Sequence, residues 1–123
     1  MPAAPSAEGQ KREAQALRHL QAAGLRLRAA NVRYRFGELD LVMDDGELLV
    51  FVEVRYRRSR SHGGAAASIG SAKRQRLWRA AQAFLAANPA LAQRPCRFDV
   101  LAIEGTEGVQ WIRNALQDDS GWG

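Results

Sequence analysis

Hydrophobic and polar positions change rhythm several times along the chain, and each rhythm predicts an element. Over residues 7–23 apolar positions recur at helical spacing, with Leu17 and Leu20 on one stripe and Gly24 as a C′ stop. Glu13 precedes Leu17 by four residues and Leu20 by seven, so it belongs to that inward stripe or stands in water at its edge. A strand begins near Leu25. In NVRYRFGELDLVM, Val32, Tyr34 and Phe36 alternate with Arg33 and Arg35, the period of a half-buried antiparallel strand. Gly37 interrupts it as a bulge or bend. DDG at residues 44–46 is a turn signal, and LLVFV at 48–52 is apolar on both faces, as expected of a covered central strand.

Residues 57–67, RRSRSHGGAAA, read as a basic loop of small residues. A second helix is predicted over 71–87, with Leu77, Ala80, Ala81 and Phe84 on its apolar stripe and Asn88-Pro89 ending it. Trp78 lies at the edge of that stripe, where it packs or forms a dimer contact. CRFDVLAIE at 96–104 reads as a further strand, and VQWIRNAL at 109–116 as a strand or a short helix. Trp111 and Trp122 look exposed near the end. The sequence thus predicts a frayed segment over 1–6, one domain over 7–116 and a loose tail over 117–123. The order of elements implies an α/β fold, a mixed sheet with helices on both faces.

Composition sharpens this picture. The chain has 123 residues, 46% hydrophobic and 25% charged, which suits one globular domain. The net charge is +5 and the pI about 10.3, but the distribution matters more. Between Val54 and Phe98 there are ten Lys/Arg and no acid. Such a block suits a polyanion or simply solvates a surface; carboxylates beside it favour nucleic acid as the partner. The single cysteine, Cys96, excludes an internal disulfide, fits a reducing cytoplasm and reads as a small buried residue. No segment has the pattern of a signal peptide or a membrane span, so a soluble, cytoplasmic protein without a membrane partner is expected.

The candidate chemistry lies in GELDLVMDDGELLVFVEVRYR, residues 37–57. If Asp45-Gly46 is a two-residue turn, Asp44 pairs with Glu47 and Asp40 with Phe51. Glu53 is then a diagonal neighbour of Asp40 on the same face, with Cα atoms roughly 7–8 Å apart. Arg55 shares that face, whereas a loop of odd length would separate Asp40 from Glu53. Two convergent carboxylates need a cation between them. That cation is either a divalent metal, with oxygen donors favouring Mg²⁺ or Mn²⁺, or Arg55 in a salt-bridge ladder Asp40–Arg55–Glu53. His19 and His62 are isolated and read as non-ligands.

These residues resemble a known pattern. The Asp of GELD followed by a strand ending Glu-x-basic is similar to the PD-(D/E)XK nuclease superfamily. More closely, EAQALRHLQAAGL, GELDLV, VFVEVRYR, the K-x-x-R-L opening of the second helix and RFDVLAI resemble the YraN-like family of small bacterial proteins taken to be endonucleases. That family is itself similar to archaeal Holliday junction resolvases. The match spans roughly residues 8–116.

The resemblance implies a restriction-endonuclease-like core and a metal-dependent DNA endonuclease acting in repair or recombination. Asp40, Glu53 and Glu13 would be metal ligands for Mg²⁺ or Mn²⁺, and Arg55 would stand in the place of the motif's lysine. Lys73 would contact phosphate. Arg57, Arg58 and Arg60 of the basic loop, with Lys73 and Arg76, would grip flanking phosphates, which favours structure-selective over sequence-specific binding. By analogy a homodimer suits a branched substrate. The sequence departs from the pattern twice: Leu39 rather than proline precedes Asp40, and Arg55 stays protonated and cannot act as a general base. The alternative is a non-catalytic nucleic-acid-binding module with a vestigial site. A weaker third reading is an interaction subunit using the tryptophans of the tail.

Overall fold

A computed structural model describes residues 7–57, 69–104 and 108–116. Its elements are α1 (Ala7–Ala22), β1 (Arg26–Tyr34), β2 (Gly37–Asp45), β3 (Leu48–Arg57), α2 (Ser71–Ala87), a 3-10 turn (Pro89–Leu91), β4 (Cys96–Glu104) and β5 (Val109–Ile112). The strands form one sheet in the order β1-β2-β3-β4-β5. β3 and β4 are parallel, joined across α2, and every other neighbouring pair is antiparallel. This is a mixed α/β architecture. Among the described residues no helix is long and apolar enough to cross a membrane.

The double-sided apolar run places β3 at the centre. Leu49, Val50, Phe51 and Val52 are each no more than 1% exposed. Their side chains alternate between two cores. Val50 and Val52 meet Ala16 and Leu20 of α1, together with Leu41, Met43 and Leu101. Leu49 and Phe51 meet Leu77, Ala81 and Phe84 of α2, together with Val42 and Phe98. On the α2 side Phe51 lies edge-on to Phe84, with centroids 6.1 Å apart, and Trp78 edge-on to Phe98 at 5.2 Å. Trp78 is therefore a core residue, and the dimer-contact alternative for it is set aside.

Local signals explain where most elements stop. At the end of α1 the Leu25 N–H donates to the Leu20 carbonyl at 3.1 Å, and the Gly24 N–H to the Gln21 carbonyl at 3.0 Å. This pairing satisfies the last helical carbonyls and needs a left-handed residue, which Gly24 supplies at φ +98°. Leu20 and Leu25 then pack together in the α1-side core.

Three details of the sequence reading are corrected. The stretch 32–43 is not one strand: it breaks at Arg35-Phe36, and Tyr34 pairs with Gly37 across that turn. Just after the turn α2 packs closely on β2, for a Cβ on Gly37 would lie 2.7 Å from the Arg76 carbonyl oxygen. The β2–β3 turn is Gly46-Glu47 rather than Asp45-Gly46, since Asp45 pairs with Leu48. Finally, Trp111 is no part of an exposed tail. It lies half-buried in β5, where its indole N–H donates to Asp99 at 2.9 Å, while Trp122 lies outside the described residues.

Gly37 yields a direct test. Gly37→Ala forces β2 and α2 apart, and is expected to cost about 1–3 kcal/mol, the usual range for overpacking. A fall of several degrees in Tm is the expected readout. An unchanged Tm would show that α2 does not bear on this glycine.

Asp99 of β4 is fully buried, yet its carboxylate is saturated. It accepts from Arg97 Nε and Nη2 at 2.8 and 3.0 Å, from Trp111 Nε1 at 2.9 Å and from the Asn114 N–H at 2.9 Å. These bonds tie β5 and the residues after it to the sheet. Cys96 is half-buried rather than buried. Its thiol donates to the Arg94 carbonyl at 3.4 Å, and burial pushes its pKa up, against the opposing pull of Arg94, which suits packing rather than reactivity.

Candidate functional site

The site forms where the sheet comes apart. β2 and β3 pair from Asp45↔Leu48 to Leu41↔Val52. Extending that register sets Asp40 opposite Glu53, not diagonal to it. The one-residue shift of the turn moves the register by two and causes this, and the even loop keeps both residues on one face. The backbone ladder ends at Leu41, and beyond it the Val54 N–H donates to Asp40 Oδ2 at 2.9 Å. A side-chain carboxylate thus replaces a main-chain acceptor and holds the two strands at a small opening.

A second distortion faces the first. Asn31 of β1 adopts φ +53°, a left-handed conformation that asparagine tolerates better than most residues. Across this point the alternation of β2 breaks, for Leu39 packs in the α2-side core while Leu41 and Met43 pack in the α1-side core. Asp40 stands at the break and lines cavities on both sides of it.

The larger cavity, about 510 Å³, is lined by Gly37, Glu38, Asp40, Glu53, Arg55, Tyr56, Lys73, Arg76 and their neighbours. At its floor Glu53 is only 3% exposed and is hydrogen-bonded to Asp40. Two carboxyls this close and this little exposed repel unless a cation or a proton joins them. Burial, first, and then the hydrogen bond and negative charge of Glu53 push Asp40 up to about 9, against the opposing pull of the Val54 N–H. Lys73 reaches in from the first turn of α2, its Nζ 2.8 Å from Glu53 Oε2. The contact is ionic but poorly directed, so this buried oxygen lacks a well-formed hydrogen bond. Arg55 and Arg76 complete the basic wall, and no described carboxylate pairs with either.

Glu13 meets Asp40 from the other side. Both line a smaller cavity of about 190 Å³ with Gly9, Arg12, Val54 and Tyr56. Glu13 is half-buried and hydrogen-bonded to the Asn31 side chain. Burial raises its pKa, with a further push from Glu38, while Asn31 and Arg33 oppose. It therefore does face the sheet. Among the described residues, however, no three His, Cys, Asp or Glu side chains converge closely enough to hold one ion. Asp40 and Glu53 form a pair, with Glu13 beside it.

The other residues expected at the site are distributed unevenly. Arg55, Lys73 and Arg76 line the cleft, and Lys73, though still partly exposed to solvent, reaches Glu53 with its amine. Arg57 closes β3, and Arg58, Arg60 and His62 lie outside the described residues. His19 packs edge-on to Trp111 and lines neither cavity.

Three contributors escaped the sequence reading. Glu38 lines the cleft; its i, i+2 spacing from Asp40 was the available signal. Asn31 receives Glu13, and only a polar residue in a strand pointed to it. Tyr56 lines both cavities, with the Arg12 guanidinium 3.8 Å over its ring, a contact that no local pattern specifies.

Fold and site define a mixed α/β protein with a buried acidic pair at the floor of a basic cleft. The chain belongs to the UPF0102 family. The model of that family, described as uncharacterised protein family UPF0102, matches residues 12–103. Similar relatives include a UPF0102 protein of Xanthomonas campestris pv. campestris (strain B100), 57% identical over 97% of this chain and 98% of that protein. A UPF0102 protein of Pseudomonas fluorescens is 54% identical over 88% of this chain and 91% of its own length. One of Pseudomonas entomophila is 50% identical over 94% and 97%. The matched region includes every residue of the acidic pair and the cleft wall.

Proposed function

We propose that this protein is a metal-dependent phosphodiesterase of restriction-endonuclease-like fold that cleaves nucleic acid, DNA being the favoured substrate. The observation that carries this reading is the buried Asp40–Glu53 pair opening onto a cleft walled by Arg55, Lys73 and Arg76. Two carboxyls set opposite each other at low exposure repel, a cost that a bound cation would relieve. The donor set fits a hard divalent ion, because Mg²⁺ commonly takes one or two carboxylates and completes its shell with water and substrate phosphate. Asp40 and Glu53 would hold the ion, and Glu13 would approach through water or on closure. Such an ion supplies Lewis acidity toward a phosphodiester.

The chain's own residues supply the rest. Val54 N–H and the Asn31–Glu13 contact fix the carboxylates in position. Arg55 and Arg76 offer guanidinium forks to phosphate oxygens, and so stabilise charge developing there. Arg55 cannot take up a proton, so the amine in contact with the acidic pair is that of Lys73 on the helix. Lys73 neutralises Glu53 while no cation is bound and is within reach of a phosphate in the same cleft. The acid-free block of residues 54–98 extends this positive surface.

One observation favours a second reading, a nucleic-acid binder with no cleavage. Lys73 offsets the charge of the acidic pair without a metal, and among the described residues no third carboxylate converges on it. Incubating the full chain with branched, single-stranded and blunt duplex DNA, and matching RNA, with and without millimolar Mn²⁺ tests both. Metal-dependent cleavage of at least one substrate is expected. Binding of all substrates with no cleavage under any metal would establish the second reading instead.

A further inference from the structure

Beside the cleft, and outside the residues assigned to it, the β1–β2 hairpin carries a pair of rings. Tyr34 and Phe36 lie parallel, with centroids 5.6 Å apart and 4° between their planes. The Arg79 guanidinium of α2 lies over Phe36, 4.8 Å from the ring centroid. Both rings are half-buried, and both line a cavity of about 480 Å³ with Arg33, Arg35, Gly37, Glu38 and Arg76. Gly37, Glu38 and Arg76 also line the cleft, so the two cavities share a wall. Glu38 is the acid in this wall, and Arg33 approaches it at 3.7 Å.

Packing accounts for only part of this arrangement. The inner edges of Tyr34 and Phe36 meet the α2-side core. A core requires no guanidinium groups, however: Arg33 is already paired with Glu38, while Arg35 and Arg76 line the same open cavity and repel each other unless an anion joins them. An arginine-lined cavity with a flat aromatic shelf matches a nucleotide, which combines a π face with a phosphate. Bases inside a duplex are already stacked on both sides, so they have no face to offer.

We infer that the Tyr34–Phe36 shelf binds one unpaired base next to the cleft, with Arg35 and Arg76 on its flanking phosphates. The inference rests on the proposed nucleic-acid reading and adds to it a preference for junctions between paired and unpaired strands. It assigns the discrimination between substrates to stacking, while the arginines supply affinity without sequence information.

The test uses the full chain in EDTA, so that cleavage plays no part. Two probes carry 2-aminopurine at the same position, unpaired in a duplex with a single-stranded overhang or paired in a blunt duplex. Wild type is expected to quench the unpaired probe and to bind it about tenfold more tightly than the blunt one, the lower part of the range for stacking one base. Tyr34→Leu should abolish the quench and the preference, leaving blunt-duplex affinity within about twofold. Tyr34→Trp should restore both.

Absence of quenching by wild type overturns the inference, whatever the variants do. So does an equal loss on both probes with Tyr34→Leu, which would indicate a general disturbance of the surface. If wild type binds both probes without preference, the shelf fails and the nuclease reading stands. If it binds neither, both fail.

Discussion

Asp40→Asn and Glu53→Gln, singly or together, are expected to remove divalent-ion-dependent cleavage while leaving salt-sensitive nucleic-acid binding in place. The loss should exceed a hundredfold, because even residues that only support a metal ligand cost about 10–100-fold when changed. Binding should survive because it rests on Arg55, Arg76 and the wider basic surface, and its decline with added salt should keep its slope.

A readout independent of turnover accompanies this. Millimolar Mg²⁺ or Mn²⁺ should raise the Tm of wild type by a few degrees, since an ion that binds only the folded state stabilises it by roughly 1–3 kcal/mol at ten to a hundred times Kd. Neither variant should respond. Undiminished cleavage by the double variant would refute the site. A wild type that ignores the ions would direct attention to the non-catalytic reading.

The second large effect is on stability, and it has an unusual sign. Carboxylates that are ion-paired or hydrogen-bonded in the folded state stabilise a protein at neutral pH because their pKa is depressed, but burial and Glu53 raise Asp40 from 3.8 to about 9. The folded state therefore holds a proton that the unfolded chain releases. Its contribution to stability is complete below about pH 4 and is lost as pH rises toward 9, by up to about 1.4 kcal/mol per pH unit. Glu13, also raised by burial, adds in the same direction. In metal-free buffer, wild type should lose Tm steadily between about pH 5 and 9.

Asn at position 40 imitates the protonated acid: it can accept from the Val54 N–H and donate to Glu53. Asp40→Asn should therefore flatten the pH profile and exceed wild type in stability at pH 8 by more than about 1 kcal/mol. A gain in stability coupled to a loss of ion response is what a strained functional site predicts. Parallel pH profiles for the two proteins would show that Asp40 and Glu53 do not share a proton. Added Mg²⁺ should reduce the slope in wild type alone.

The sequence by itself determined a great deal. Residues 71–87 are a helix at the expected bounds, because Leu77, Ala80, Ala81 and Phe84 can meet one core only at helical spacing. LLVFV could be nothing but a covered strand, and an even turn was enough to place Asp40, Glu53 and Arg55 on one face. Period and parity are properties of the local chain, so they can be read without the fold.

What the sequence could not fix was register and reach. A one-residue slip of the turn leaves parity unchanged, yet it shifts the register by two, moves Asp40 from Phe51 to Glu53 and turns diagonal neighbours into a directly opposed pair. Nearby, a missing Cβ at Gly37 admits the backbone of Arg76, a contact between β2 and α2 that no local pattern announces. The reach of Lys73 likewise belongs to the tertiary structure alone. It sits 20 residues beyond Glu53 in the chain and reaches 2.8 Å from its carboxylate because α2 crosses back over the opened end of the sheet. The side chains at this end are set by cross-strand and helix–sheet contacts of long sequence separation, which leave no period in the chain to read.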